Sequence, residues 1–155
     1  MKTLISTLFL ILTISAFGNN LKKDSDNGNS AVQKAVEWIL VWEDNFDKPG
    51  LPDRKIWDYE VGYIRNKEEQ YYTKNRSENA RVENGSLVIE ARKDNWENHK
   101  ITSASLKTLG KKSILYGRVE VRAKLPTGRG TWPAIWMLGE NIGKVGWPSC
   151  GAGRG

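Results

Sequence analysis

Two tryptophans four residues apart pose the first chemical question of this 155-residue chain. If Thr131–Leu138 is extended, Trp132, Ala134, Trp136 and Leu138 share one face, and Thr131, Pro133, Ile135 and Met137 take the other. At roughly 3.3 Å per residue the two indoles then stand about 13 Å apart, a spacing suited to successive sugar rings. Such rings stack their C–H faces on aromatic surfaces, while their hydroxyls need polar partners at the rim. The same periodicity also describes two tryptophans filling a core, so both uses stay open. Pro133 favours an edge or irregular strand, as at the rim of a cleft.

Acid chemistry is harder to assemble. Cleavage of a glycosidic bond with retention needs two carboxyl groups about 5–5.5 Å apart, one as nucleophile and one as acid/base. Glu68 and Glu69 are adjacent and point to opposite sides when extended, and Glu83 and Glu90 flank a turn too far apart for spacing to join them. Glu120 lies between Arg118 and Arg122 without a second acid two or four residues away. Each reads as a surface charge, and no residue of the chain is assigned a catalytic role. The single histidine, His99, sits among Asn95, Glu97, Asn98 and Lys100 and reads as an exposed loop residue, excluding a histidine-based metal site. Cys150 is the single cysteine, which excludes an intramolecular disulfide.

The elements that must position these groups are strands. Val82–Arg92 has Asn84-Gly85 between alternating runs, the strongest short hairpin signal. Tyr116–Leu125 alternates Val119, Val121, Ala123 and Leu125 against Arg118, Glu120, Arg122 and Lys124. Further strands are expected over Trp38–Trp42, Ile56–Val61, Ile101–Thr108 and Thr131–Leu138. Six or seven short strands with frequent turn signals indicate an all-β sandwich.

The first eighteen residues read as a leader. Lys2 precedes the apolar run Leu8–Ile14, which is too short to span a bilayer, and Ala16-Phe17-Gly18 offers small residues for cleavage. Residues 19–34, rich in Asn, Ser, Asp and Lys, read as a flexible linker. The mature chain is thus expected to be secreted or periplasmic. The net charge of +6 is spread among interleaved acids, so it reads as a solvated sheet face, with neither nucleic acid nor membrane as a partner.

Five motifs, in order, resemble glycoside hydrolase family 16 in its laminarinase-like branch. Val41-Trp42-Glu43-Asp44-Asn45-Phe46 is similar to the family's opening Trp-x-Asp-Glu-Phe, and Asn66-Lys-Glu68-Glu-Gln70-Tyr71-Tyr72-Thr73 to its Asn-x-Glu-x-Gln-x-Tyr-Thr segment. Asn79–Arg92 resembles the hairpin that comes next, Tyr116–Pro126 the central strand, and Gly130–Leu138 the strand running up to the cleft. The resemblance runs from about Val41 to Gly151 and makes residues 35–151 a partial domain of the family. It implies a jelly-roll β-sandwich of two antiparallel sheets, with a laminarin-like β-glucan in a groove across the concave one. It also implies retaining endo-β-1,3-glucanase activity, with Asn66 and Arg92 bonding sugar hydroxyls and Trp132 and Trp136 forming the aromatic floor. Glu68 and Gln70 are expected to be structural hydrogen-bonders of their loop.

Two departures matter. Asn45 stands where the family has Glu, at a point often belonging to a calcium site, so no bound metal and no cofactor is expected here. Ala152 stands where the first Glu of the family's Glu-x-Asp-x-(x)-Glu strand belongs, and residues 152–155 read as a non-family tail after a frameshift or fragment end. The expectation is therefore the N-terminal part of a secreted β-glucan hydrolase, inactive as written. The alternative is a glucan-binding module without catalysis. A part-sandwich leaves edges unpaired and the Val119–Val121–Ala123 face partly uncovered, so aggregation is expected on expression, and a monomer if the chain folds.

Overall fold

The structure, a computed structural model, describes residues 38–146 together with the backbone of residues 14–19. Nine strands and one short helix are formed among them: β1 (Ile14–Asn19), β2 (Trp38–Asp44), β3 (Asp58–Glu60), β4 (Tyr71–Tyr72), β5 (Ala80–Glu83), β6 (Ser86–Ile89), β7 (Thr102–Ser103), β8 (Ser105–Lys107), β9 (Arg118–Val121) and α1 (Ile142–Val145). The expected linker beyond Asn19, the first thirteen leader residues, Cys150 and the tail at 152–155 lie outside the described residues.

The β5–β6 hairpin forms where Asn84-Gly85 demands it. Both turn residues have positive φ, 51° and 68°, as a two-residue turn of matching twist requires. The register pairs Val82 with Leu87 and Arg81 with Val88. β3 pairs antiparallel with β8, and β1 lies between β2 and β9, antiparallel to both. One pairing departs from the antiparallel expectation: β4 and β7 run parallel, Tyr71 beside Thr102 and Tyr72 beside Ser103. The β5–β6 hairpin and the loop after it intervene, a crossover long enough for a parallel return. Single bridges extend this pair, Gly62 to Tyr72 on one side and Arg92 to Thr102 on the other.

Phe46, Trp57, Val82 and Leu87 form the main core, with Trp42, Ile56, Ile89, Leu106, Val119 and Val121 packed around it. Tyr59, Ala80 and Ala104 form a smaller cluster joined to it through Ile89 and Leu106. Asp44 ties the opening motif into that core. Its carboxylate accepts from Trp57 Nε1 at 2.7 Å and from the Phe46 amide at 2.9 Å. Phe46 itself takes positive φ to turn under Trp57, and their rings stack 6.3 Å apart.

Several sequence expectations need correction. Ile101–Thr108 divides into β7 and β8 around the buried Ala104. The Tyr116–Leu125 strand contracts to β9, leaving Ala123 and Leu125 exposed. No strand forms over Thr131–Leu138. Alternation prepares a segment for a ladder, but a strand exists only where a neighbour supplies the hydrogen bonds. Among the described residues this segment's one backbone bond is a turn, Thr131 N–H to Gly128 O. Among the described residues beyond about 112 only β9 reaches the core, through Val119 and Val121, while Leu115, Tyr116, Trp132 and Met137 are all exposed.

Candidate functional site

Trp132 and Trp136 are 93% and 55% exposed. Neither indole is buried in a core cluster among the described residues. The Arg65 guanidinium stands over the Trp136 ring, 5.3 Å from its centroid, a cation–π placement. Arg65 is itself held by Glu60, which also accepts from Ser105 Oγ at 2.6 Å. Burial pushes the Glu60 carboxyl up, but the bonds from Arg65 and Ser105 outweigh it and hold the pKa below the ordinary glutamate value.

Asn66 follows Arg65 in a left-handed conformation shared with Lys67. Its side-chain amide faces Glu68 at 3.5 Å. Glu68 is the hub of this loop, accepting from Gln70 Nε2 at 3.0 Å and from Tyr72 OH at 2.8 Å. The structural role expected for Glu68 and Gln70 thus has its geometry.

Arg92 lies at the end of the β6 run, where Glu90 accepts from its Nη1 at 2.6 Å. Arg81 Nη1 donates to the other Glu90 oxygen at 3.0 Å. Glu90 is buried, 4% exposed, which overturns its reading as a surface charge. The opposite face of the hairpin is closed as well, since Val88 is fully buried while Ala91 is exposed. Burial on this strand therefore does not follow the alternation of its residues at Val88 and Ala91. Arg92 remains half-exposed, lining a depression with Ser77, Glu78, Arg81 and Glu90. Its Nε is buried, lies 3.5 Å from Asp94 and makes no hydrogen bond.

Asp94 joins Arg92 to a second arginine. Arg76 Nη2 donates to Asp94 at 2.8 Å, and Arg76 Nη1 reaches Asn79 at 2.7 Å and Thr102 at 3.0 Å. Desolvation pushes the Asp94 carboxyl up, but Arg76 and Thr102 outweigh it and leave the pKa below the ordinary aspartate value. The buried Asn79 completes this lattice through Thr73, Thr102 and the Glu90 carbonyl.

His99, read from sequence as an exposed loop residue, is half-buried in an aromatic cluster. Its ring stacks on Tyr71 at 3.7 Å and 14°, its Nδ1 is 3.0 Å from Tyr63 OH, and Trp96 leans on both rings. The Arg76 guanidinium stands 5.2 Å from the centroid of Trp96. Sequence reasoning missed Arg65, Tyr63, Tyr71 and Trp96. The one local signal was Asp94-Asn95-Trp96-Glu97-Asn98, where Asn residues suit the left-handed turns that fold the loop back.

Asn45, where the resemblance has an acid, follows Asp44 at the end of β2. Each Asp44 oxygen accepts one bond, from Trp57 or Phe46, and among the described residues no three His, Cys, Asp or Glu side chains converge.

Short strands, exposed indoles and arginines braced by acids are the build of a carbohydrate-active β-sandwich. The chain belongs to the glycosyl hydrolases family 16, whose pattern its residues 67–146 match. It is 54% identical over 128 residues to a β-glucanase of Rhodothermus marinus, a match spanning 80% of this chain and 45% of that protein. The solved laminarinase of Rhodothermus marinus superposes with a TM-score of 0.68 at 55% identity, covering 74% of this chain and 47% of that one. A non-specific endo-β-1,3(4)-glucanase of the family, solved with a β-glucan oligosaccharide at its active site, superposes at 0.67 with 42% identity, covering 86% and 51%. The chain is thus a jelly-roll protein that spans about half the length of these relatives.

Proposed function

We propose that the chain forms the substrate-gripping part of an exported retaining endo-β-1,3-glucanase, and that residues 1–155 alone bind β-glucan without cleaving it. The observation that carries this reading is the exposure of both Trp132 and Trp136, with Arg65 braced over the latter. Indoles left in solvent lose the burial that a core gives, and a ligand with apolar C–H faces restores it. Arg92, anchored by Glu90 with its side chain 36% exposed, and Asn66 at its exposed loop supply hydroxyl partners. The relatives act on or hold β-glucans, in keeping with a neutral, laminarin-like polysaccharide.

Binding without hydrolysis is favoured for these residues by the state of the acids. Glu60, Glu68, Glu90 and Asp94 are each engaged by arginine, hydroxyl or amide donors inside the lattice. None is left as the closely spaced free pair that retention needs. Affinity electrophoresis in laminarin, run beside a reducing-sugar assay, tests both halves. Retardation without sugar release supports the reading. Migration unchanged by laminarin refutes the binding half, and sugar release refutes the other.

A further inference from the structure

We infer that Tyr63 and His99 form an additional subsite for one uncharged pyranose ring of a β-glucan, an inference that rests on the glucan reading above. Tyr63 is 59% exposed although the three aromatic groups beside it, Tyr71, Trp96 and His99, are half-buried. Its ring stands steeply across those of Tyr71 and His99, with centroids 5.5 and 5.6 Å away, and most of it stays in solvent.

The backing behind that ring is built rather than incidental. His99 lies flat on Tyr71, and the loop that delivers it holds Asn95, Glu97 and Asn98 at positive φ of 50°, 46° and 70°. Asn95 and Asn98 take that region readily, whereas Glu97 needs surrounding contacts to hold it there. Here the contacts are the Trp96–His99 bridge and Arg76 against Trp96, itself fixed by Asp94. Tyr63 adds its hydroxyl to that pinning through His99 Nδ1 and still leaves most of its ring in solvent. Tyr63 contributes a face and a polar edge. When its hydroxyl donates to His99 Nδ1, the neutral imidazole carries its proton on Nε2, a donor without a protein acceptor among the described residues. An aromatic face beside outward donors is the complement of a sugar ring with an apolar face and equatorial hydroxyls.

The position suits a chain that touches both ends of the site. Tyr71, Thr102 and Arg92 are register neighbours, so Tyr71 and Arg92 lie two strand spacings apart, about 9.6 Å. The contacts Tyr71–Trp96, Trp96–Arg76, Arg76–Asp94 and Asp94–Arg92 run continuously between them. In the other direction Tyr63 precedes by two residues the Arg65 that stands over Trp136.

His99 is the single histidine of the chain, so its imidazole resonances report on the subsite without assignment ambiguity. The experiment titrates the full chain with long and short β-1,3-gluco-oligosaccharides and follows the His99 ring and the tryptophan indole signals. The expected result is movement of the His99 signals with the long oligosaccharides. Calorimetry should then show Tyr63→Ala about tenfold weaker for the long ligands and unchanged for the shortest, with Tyr63→Phe, which keeps the face, losing about threefold at most. Indole signals that move while His99 stays still would overturn the subsite and leave the glucan reading intact. Equal affinity of Tyr63→Ala for long ligands would do the same, and silence of both signals would overturn both.

Discussion

Glu90 and Arg92 meet at 2.6 Å on the outward side of the β6 end, with the acid 4% exposed and the arginine still reaching solvent. A buried carboxylate here needs two guanidiniums, and Arg81 supplies the second at 3.0 Å. The pair thus converts a desolvated charge into a fixed aim for Arg92. Removing the acid by Glu90→Ala leaves two arginines facing each other, and a loss of roughly 3 kcal/mol is expected. Urea unfolding measures it; a loss under about 0.5 kcal/mol would show that the acid is not needed.

Core and site should separate cleanly by substitution. Leu87→Ala removes a side chain 1% exposed and is expected to cost about 2–5 kcal/mol of stability. Trp132→Ala removes one that is 93% exposed, with stability changed by under about 0.5 kcal/mol and laminarin retardation sharply reduced. Thermal melts and affinity gels on the same two variants check both directions. A Trp132→Ala protein that melts early but binds normally would reverse the assignment.

Acid should loosen the lattice. Glu60 and Asp94 have pKa values held below their ordinary ones in the folded chain, by Arg65 with Ser105 and by Arg76 with Thr102 against the opposing effect of burial. A depressed folded pKa gives stability that is present above the unfolded value, about 4, and is lost as pH falls through the folded one. The melting temperature is therefore expected to hold between about pH 7 and 5 and to fall below about pH 4. Glu60→Gln should flatten that acid limb, which circular dichroism melts across pH will read.

β1 overlaps the segment read as a leader, and it joins β2 to β9. Chains covering 1–155 and 19–155 should differ there. Deletion is expected to raise amide exchange in Trp38–Asp44 and Arg118–Val121 while leaving the β5–β6 hairpin protected. Hydrogen exchange with peptide resolution checks it, and equal exchange in both chains would show that β1 does not brace its neighbours.

The sequence by itself determined what short-range chemistry can fix. Asn84-Gly85 placed the hairpin because the turn's positive φ values are a property of two adjacent residues. The five ordered motifs carried the family and with it the jelly roll; period put Trp132 and Trp136 on one face, and the resemblance gave them their expected place in the cleft. Tertiary structure decided everything that depends on a partner distant in the chain. Thr131–Leu138 alternates like a strand but lacks a neighbour among the described residues, and β4 runs parallel to a segment about thirty residues on. Glu90 is buried because Arg81 and Arg92 converge on it, and His99 leaves solvent because Tyr63 and Tyr71 fold toward it from another loop. Burial and ion pairing are sums over neighbours in space, and a linear pattern holds only the neighbours along the chain.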